Sequence, residues 1–139
     1  MGMKLREIMH VEPVSLDAET SVIEAAKRMR DDGIGDVVVT EDGKVCGILT
    51  DRDIVVRGVA SSGELNDMKI GSLCSRDLAT LSPEDETGKA VELMEERAIR
   101  RLPVMEGDRC VGIVSLGDLA ITLDRESALG QISAAPANA

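Results

Sequence analysis

Residues 8 to 54 of this chain return, without a gap, as residues 73 to 119, and that repetition constrains the fold more than any other feature. The most similar stretches are GILTDRD, Gly47 to Asp53, and GIVSLGD, Gly112 to Asp118, an offset of 65 positions. The same offset aligns Leu16 with Leu81, Glu19 with Glu84, Ala25 with Ala90, Met29 with Met94, Ile34 with Ile99 and Val39 with Val104. Each GI stretch is a glycine, two aliphatic residues, a hydroxyl and, three residues after the hydroxyl, an aspartate. That is how a strand running into a helix reads when the junction carries polar groups. Two copies are too few for a solenoid. A unit of about 65 residues also buries too little surface to stand comfortably alone, so the expectation is an α+β pair packed with pseudo-two-fold symmetry around a shared core.

Each copy reads β-α-β-β-α. In the first, an extended piece near Pro13 to Leu16 precedes a helix from Ser21 to Asp32 with Val22, Ala25, Ala26 and Met29 on one face. Ser21 and Glu24 have capping-box spacing, and Gly33 fits the stop. Strands Val37 to Thr40 and Val45 to Thr50 flank Asp42-Gly43, a strong hairpin signal, and a helix from Arg52 to Gly58 closes the unit. The second copy gives Ala79 to Leu81 extended, a helix from Glu86 to Arg97, strands Leu102 to Met105 and Cys110 to Ser115, and a helix from Leu116 to Leu123. Pro103 falls early in its strand, as suits a strand start or an edge. The expected divisions are an N-terminal segment 1–7, repeats over 8–58 and 73–123, a mobile linker 59–72 and a flexible tail 124–139 without periodicity.

A formal charge of −10 with no Phe, Tyr or Trp excludes nucleic acid as a general partner: the charge repels a polyanion, and no ring is present to stack on a base. The same charge and the lack of a long apolar run argue against a membrane, so a cytoplasmic protein is expected. Cys46, Cys74 and Cys110 are odd in number and lack C-x-x-C spacing, which reads as reduced, buried thiols that an oxidant does not bridge. His10 and Cys74 occupy adjacent places in the two copies, but one histidine and scattered cysteines do not make a tetrahedral zinc site, and no metal is expected. No triad-like setting and no glycine-rich phosphate loop points to an enzyme.

With the repeated β-α-β-β-α order, the paired hydroxyl-x-x-Asp junctions and IRRLPV at Ile99 to Val104, the chain resembles a cystathionine-β-synthase (CBS) domain pair over about residues 5 to 123. The GILTDRDIVVRG stretch and the short length are similar to bacterial stand-alone CBS-pair proteins, the hypoxic-response type among them. The resemblance implies a regulatory module that binds an adenine nucleotide, AMP, ADP or ATP, in a cleft between the repeats and acts on an unknown protein target in trans. It also implies a homodimer formed through the helices. By the same resemblance Thr50 and Asp53 serve one site, with Arg52 inside the motif, and Ser115 and Asp118 serve the other. Arg100 and Arg101 stand where family members carry phosphate-binding cations, and guanidinium suits phosphate by bidentate hydrogen bonding. At the Ser115 site the extended piece of the other unit, Pro13 and Val14, is expected to wall the base, and Ala79 and Thr80 are expected among the nucleotide-binding residues. The first copy has Gly35 and Asp36 in place of the arginines, so the site with Ser115 is expected to be the better one. The competing reading makes Thr50, Ser115 and both aspartates helix caps and the chain a structural dimerisation or protein-docking module without a ligand.

Overall fold

The computed structural model describes residues 3–61, 64–76, 78–124 and 126–136. In chain order these form a 3-10 turn Leu5–Glu7, β1 (His10–Val11), β2 (Ser15–Asp17), α1 (Val22–Asp32), β3 (Asp36–Glu41) and β4 (Lys44–Thr50). The short α2 (Asp51–Asp53) runs into a π-helical stretch, Ile54–Val59, and a second 3-10 turn covers Ile70–Ser72. Then come α3 (Thr87–Arg97), β5 (Arg101–Glu106), β6 (Arg109–Ser115), α4 (Leu116–Leu123) and α5 (Ala128–Ala134). The fold is α+β, in two units that do not coincide with the sequence repeats: one is Val14–Leu78, the other Met1–Pro13 with Ala79–Ala139.

In the unit Val14–Leu78, β2 pairs parallel with β3 and β3 antiparallel with β4. The hairpin turns through Asp42 and Gly43, both at positive φ, as Asp-Gly requires. α1 starts where Ser21 accepts a hydrogen bond from the Glu24 amide and stops at Gly33 in the left-handed region. It buries Val22, Ala25 and Met29 against Val37, Val39 and Leu49. Residues 59–72 were expected to be a mobile linker, of which 62 and 63 lie outside the described residues, yet Ile70 belongs to this same core, together with Leu73 and Cys74 from the expected start of the second repeat. Backbone bonds hold them there: Val22 N–H donates to Met68 O at 2.9 Å, Ile70 N–H to Thr20 O at 2.9 Å and Gly71 N–H to Ala18 O at 2.9 Å. At Ser75 the segment crosses β4, pairing antiparallel with Ile48.

The other unit repeats this plan with a segment from the N-terminus. β1 pairs antiparallel with β6, His10 opposite Ile113, in the sheet order β1-β6-β5. Leu5, the counterpart of Ile70, is fully buried among Leu81, Ala90, Met94, Leu102, Val104, Val114 and Leu119. Lys4 Nζ and Arg6 Nε reach Glu84 at 2.8 and 2.7 Å. Each unit has its own apolar cluster. Each is closed by a segment from outside its own repeat, which supplies the apolar surface that a half-chain lacks.

Pro103 explains where the two sheets differ. In the first unit, Val38 N–H donates to Val14 O at 2.8 Å and anchors the parallel edge strand β2. Pro103, the counterpart of Val38, has no N–H to give Ala79. The expected extended piece Ala79 to Leu81 accordingly shrinks to a single bridge, Leu81 to Val104, held by Leu81 N–H to Pro103 O at 3.1 Å and Met105 N–H to Leu81 O at 2.7 Å. The tail also departs from expectation, because α5 forms. Ser127 caps it by accepting from Gly130 N–H at 2.9 Å, and the helix lies against α4, where Gly117 faces Ser133. A seven-residue helix is marginal by itself, so packing decides its formation.

Candidate functional site

Both junctions singled out in the sequence are reciprocal capping boxes. Thr50 Oγ1 accepts from Asp53 N–H at 3.1 Å, while Asp53 Oδ2 accepts from Thr50 N–H at 2.9 Å. Ser115 Oγ and Asp118 do the same at 3.1 and 2.9 Å. Capping is thus one role of these residues, and it leaves chemistry unused. A hydroxyl that accepts from an amide still has its own proton to donate. A carboxylate has about four acceptor positions, of which the cap occupies one. The side chains of Asp53 and Asp118 are only 12% and 11% exposed, so a ligand that reaches them meets a partly desolvated charge.

The surroundings of the two boxes differ in charge. At the start of β5, Arg101 is the cross-strand partner of Ser115; at the start of β3, Asp36 is the partner of Thr50. α2 opens with Asp51 and Arg52 where α4 opens with Leu116 and Gly117. The Thr50 junction therefore gathers Asp36, Asp51 and Asp53, with Arg52 beside them and Arg57 Nε 3.8 Å from Asp53 Oδ1. The Ser115 junction holds Asp118, with Arg101 across the strand pair and His10 Nε2 2.8 Å from Asp118 Oδ1.

The expected site residues divide between the units. Pro13, Ala79, Thr80, Arg100, Arg101, Ser115 and Asp118 lie in one; Val14, Thr50, Arg52 and Asp53 lie in the other. Pro13 was expected to come from the opposite unit, and it belongs instead with Ser115, because the chain passes from one unit to the next at the Pro13–Val14 bond. Arg100 and Arg101 also part company. Arg101 enters β5 beside Ser115, whereas Arg100 lines an open groove between α3 and α4 with Val91, Met94, Ile99, Leu116 and Leu119. Sequence reasoning missed two partners of the carboxylates. Arg57 was legible from its spacing of four residues after Asp53. His10 was weighed only as a metal ligand, and its place beside Asp118 depends on the β1–β6 pairing, for which a two-residue strand gives no pattern.

Among the described residues, no group of three or more His, Cys, Asp or Glu side chains is arranged to hold a metal ion, and no helix is long and apolar enough to cross a membrane.

Known proteins carry the same architecture. CBS domain-containing protein YhcV of Bacillus subtilis (strain 168) is 34% identical over 125 residues, 89% of this chain and 89% of its own length. The crystal structure of Hypoxic Response Protein I, which holds two coordinated zinc ions, matches with a TM-score of 0.76 at 31% identity, covering 85% of this chain and 97% of that one. The CBS domain pair of protein MJ0100, solved with methylthioadenosine and S-adenosyl-L-methionine, shares the fold with a TM-score of 0.80 at 23% identity, over 91% of this chain and all of that one (100%). The family model for the CBS domain matches twice, over residues 5–59 and 70–125. Those two matches begin at Leu5 and Ile70, the residues with which the crossing segments enter their cores, and they place this chain in the CBS domain family as a tandem pair.

Proposed function

We propose that the chain is a non-catalytic regulatory module that binds an adenine nucleotide, AMP, ADP or ATP, at the Ser115 junction and signals to a protein target in the cytoplasm. The observation that carries this reading is the placement of Arg101 across the strand pair from Ser115, whose hydroxyl caps the helix that bears Asp118. Asp118 accepts from ribose hydroxyls, Ser115 donates its remaining proton to a polar ligand atom, and Arg101 takes a phosphate. Pro103 leaves the Ala79 carbonyl without the amide that Val14 receives from Val38, so an exocyclic amine of a base has an acceptor there. The adenosine compounds bound by the MJ0100 pair support the ligand class. Asp36 makes the Thr50 junction, with Asp53 and Arg52, the weaker site.

Calorimetry with a series of ligands tests the role of Arg101. Arg101→Ala should weaken ATP and ADP about tenfold or more and adenosine far less, with the difference shrinking as salt is raised, because the lost contact is a partly exposed ion pair with phosphate. Equal weakening of adenosine and ATP would remove Arg101 from the phosphate position.

Association is the second part of the proposal. The groove between α3 and α4 has a volume of about 410 Å³ and is mainly apolar, and Val91 and Leu116 are exposed within it. A second copy of the chain covers this face in our reading. Sedimentation at micromolar concentration should show about twice 14.8 kDa, and Leu116→Glu should return it to the monomer by placing a charge in the contact. A parent chain that stays monomeric would exclude the homodimer. The groove also favours the competing docking role, which stands if no nucleotide binds.

A further inference from the structure

Cys46 lies at an irregularity of β4 that the second unit keeps but fills with another residue. The register of β3 and β4 slips between Val39 and Thr40: Val39 faces Gly47 and Thr40 faces Val45, which leaves Cys46 as the extra residue of a bulge. Cys74 arrives from the crossing segment. Its Sγ stands 2.8 Å from where a Cβ on Gly47 would lie, and its Cβ stands at 3.3 Å, so it sits over the residue next to Cys46. Both cysteines pack into the same apolar cluster. Cys74 Sγ donates to Gly71 O at 3.7 Å, and after burial the neighbouring Cys46 thiol is among the causes that push the Cys74 thiol up. In the other unit the corresponding residues are Val111 and Met9, and Met9 sits over Gly112 in the same way, with its Sδ 2.6 Å from the Cβ position. The thiol pair is thus peculiar to one unit, at a place that the fold brings together in both.

We propose that Cys46 and Cys74 form a reversible intrachain disulfide by exchange with a low-molecular-weight disulfide, which ties the crossing segment to β4. Cys46 is partly exposed and Cys74 is buried, and burial also pushes the Cys74 thiol above its ordinary range. Cys46 is therefore the residue that meets the oxidant. Its thiolate attacks one sulfur of the small disulfide, forming a mixed disulfide and releasing one small thiol. The Cys74 thiolate then attacks Cys46 Sγ, forms the intrachain bond and releases the second small thiol. The two cysteine protons end on the two released thiols, the protein dithiol is oxidised by two electrons and the small disulfide is reduced by two. Cys110 takes no part: it lies in the other unit, its Sγ faces Gly112 O at 3.2 Å, and burial pushes its thiol up as well. The inference does not depend on nucleotide binding, and it replaces the sequence-based expectation of three inert thiols.

The test is to incubate the full chain with glutathione disulfide, alkylate it with iodoacetamide, and read the intact mass and the peptide map. The expected result is a fall in alkylated cysteines from three to one, with Cys110 the one modified, a Cys46–Cys74 linked peptide within a single chain, and full recovery on dithiothreitol. Cys110→Ser should keep the linked peptide, and Cys46→Ser should lose it. Three alkylated cysteines after oxidation, a stable glutathione adduct on Cys46 without the bridge, or a bridge that includes Cys110 or joins two chains would each overturn the proposal.

Discussion

Gly47→Ala is expected to lower the unfolding free energy by about 3 kcal/mol and Gly112→Ala by only about 1 kcal/mol, the two ends of the usual range for overpacking. Both glycines open their GI motif because another segment crosses directly over them. A Cβ at Gly47 would lie 2.6 Å from the backbone oxygen of Ser75 and 2.8 Å from Cys74 Sγ. That oxygen cannot retreat freely, since Ser75 exchanges two hydrogen bonds with Ile48, at 3.1 and 2.9 Å. A Cβ at Gly112 would meet Met9 Sδ at 2.6 Å and Cγ at 2.8 Å, with His10 O at 3.0 Å. The far end of a methionine can swing aside, and a carbonyl at that distance needs to give by a few tenths of an ångström. Urea unfolding followed by far-ultraviolet circular dichroism measures both variants. If the two losses agree within about 0.5 kcal/mol, the crossing backbone is not what keeps Gly47 a glycine.

Asp118→Asn should lower the affinity for adenine nucleotide by about 2 to 4 kcal/mol, roughly 30- to 700-fold, while leaving the fold intact. Asparagine keeps an oxygen for the Ser115 amide, and so retains the cap, but it presents no charge to ribose. Ribose hydroxyls then lose a charged acceptor in a partly desolvated place, at about 1.5 to 3 kcal/mol for one such bond with incomplete additivity. Asp53→Asn should matter less, because Asp36 already disfavours an anion beside Thr50. The measurement is simple in this chain: without Trp or Tyr, a bound nucleotide dominates the near-ultraviolet spectrum, and calorimetry gives the affinity. Binding by Asp118→Asn equal to the parent's, or no binding of AMP, ADP or ATP by the parent at millimolar concentration, would end the sensor reading in favour of the docking module.

Much of this architecture is legible in local signals of the sequence. The face of α1 follows from apolar residues three and four apart, and that of α3 does so except at Val91, expected inward with Thr87, Ala90 and Met94 but exposed; the β3–β4 hairpin follows from Asp42-Gly43, and both junctions from a hydroxyl followed by aspartate at capping distance. What stayed hidden was settled by contacts between distant parts of the chain. No periodicity in Met9, His10 and Val11 says that they lie along β6, so His10 was not read as a neighbour of Asp118. Buried Leu5 and Ile70 do share the offset of the repeat, so the core role of the two 3-10 turns was legible in their matching places. The failure of Ala79–Leu81 to become a strand was also legible in principle: Pro103 marks where its first hydrogen bond is missing. The tail helix was not, since seven residues with one serine cap are stable only against α4.

The crossing of segments also bears on how the chain can be divided. The stretch through Leu5 and His10 completes the unit of the second repeat, and the stretch through Ile70 and Ser75 completes that of the first, a reciprocal exchange. A fragment cut at the ends of a sequence repeat carries the wrong lid: residues 5–59 hold the segment that the other unit needs and lack their own. Cuts between Pro13 and Val14 and between Leu78 and Ala79 free Val14–Leu78 with the segment that closes it, but leave the other unit in two pieces, Met1–Pro13 and Ala79–Ala139, which must be joined to restore its cover. With both repeats in one chain the exchange of closing segments is intramolecular, so it does not depend on protein concentration as a swap between two single-repeat chains would.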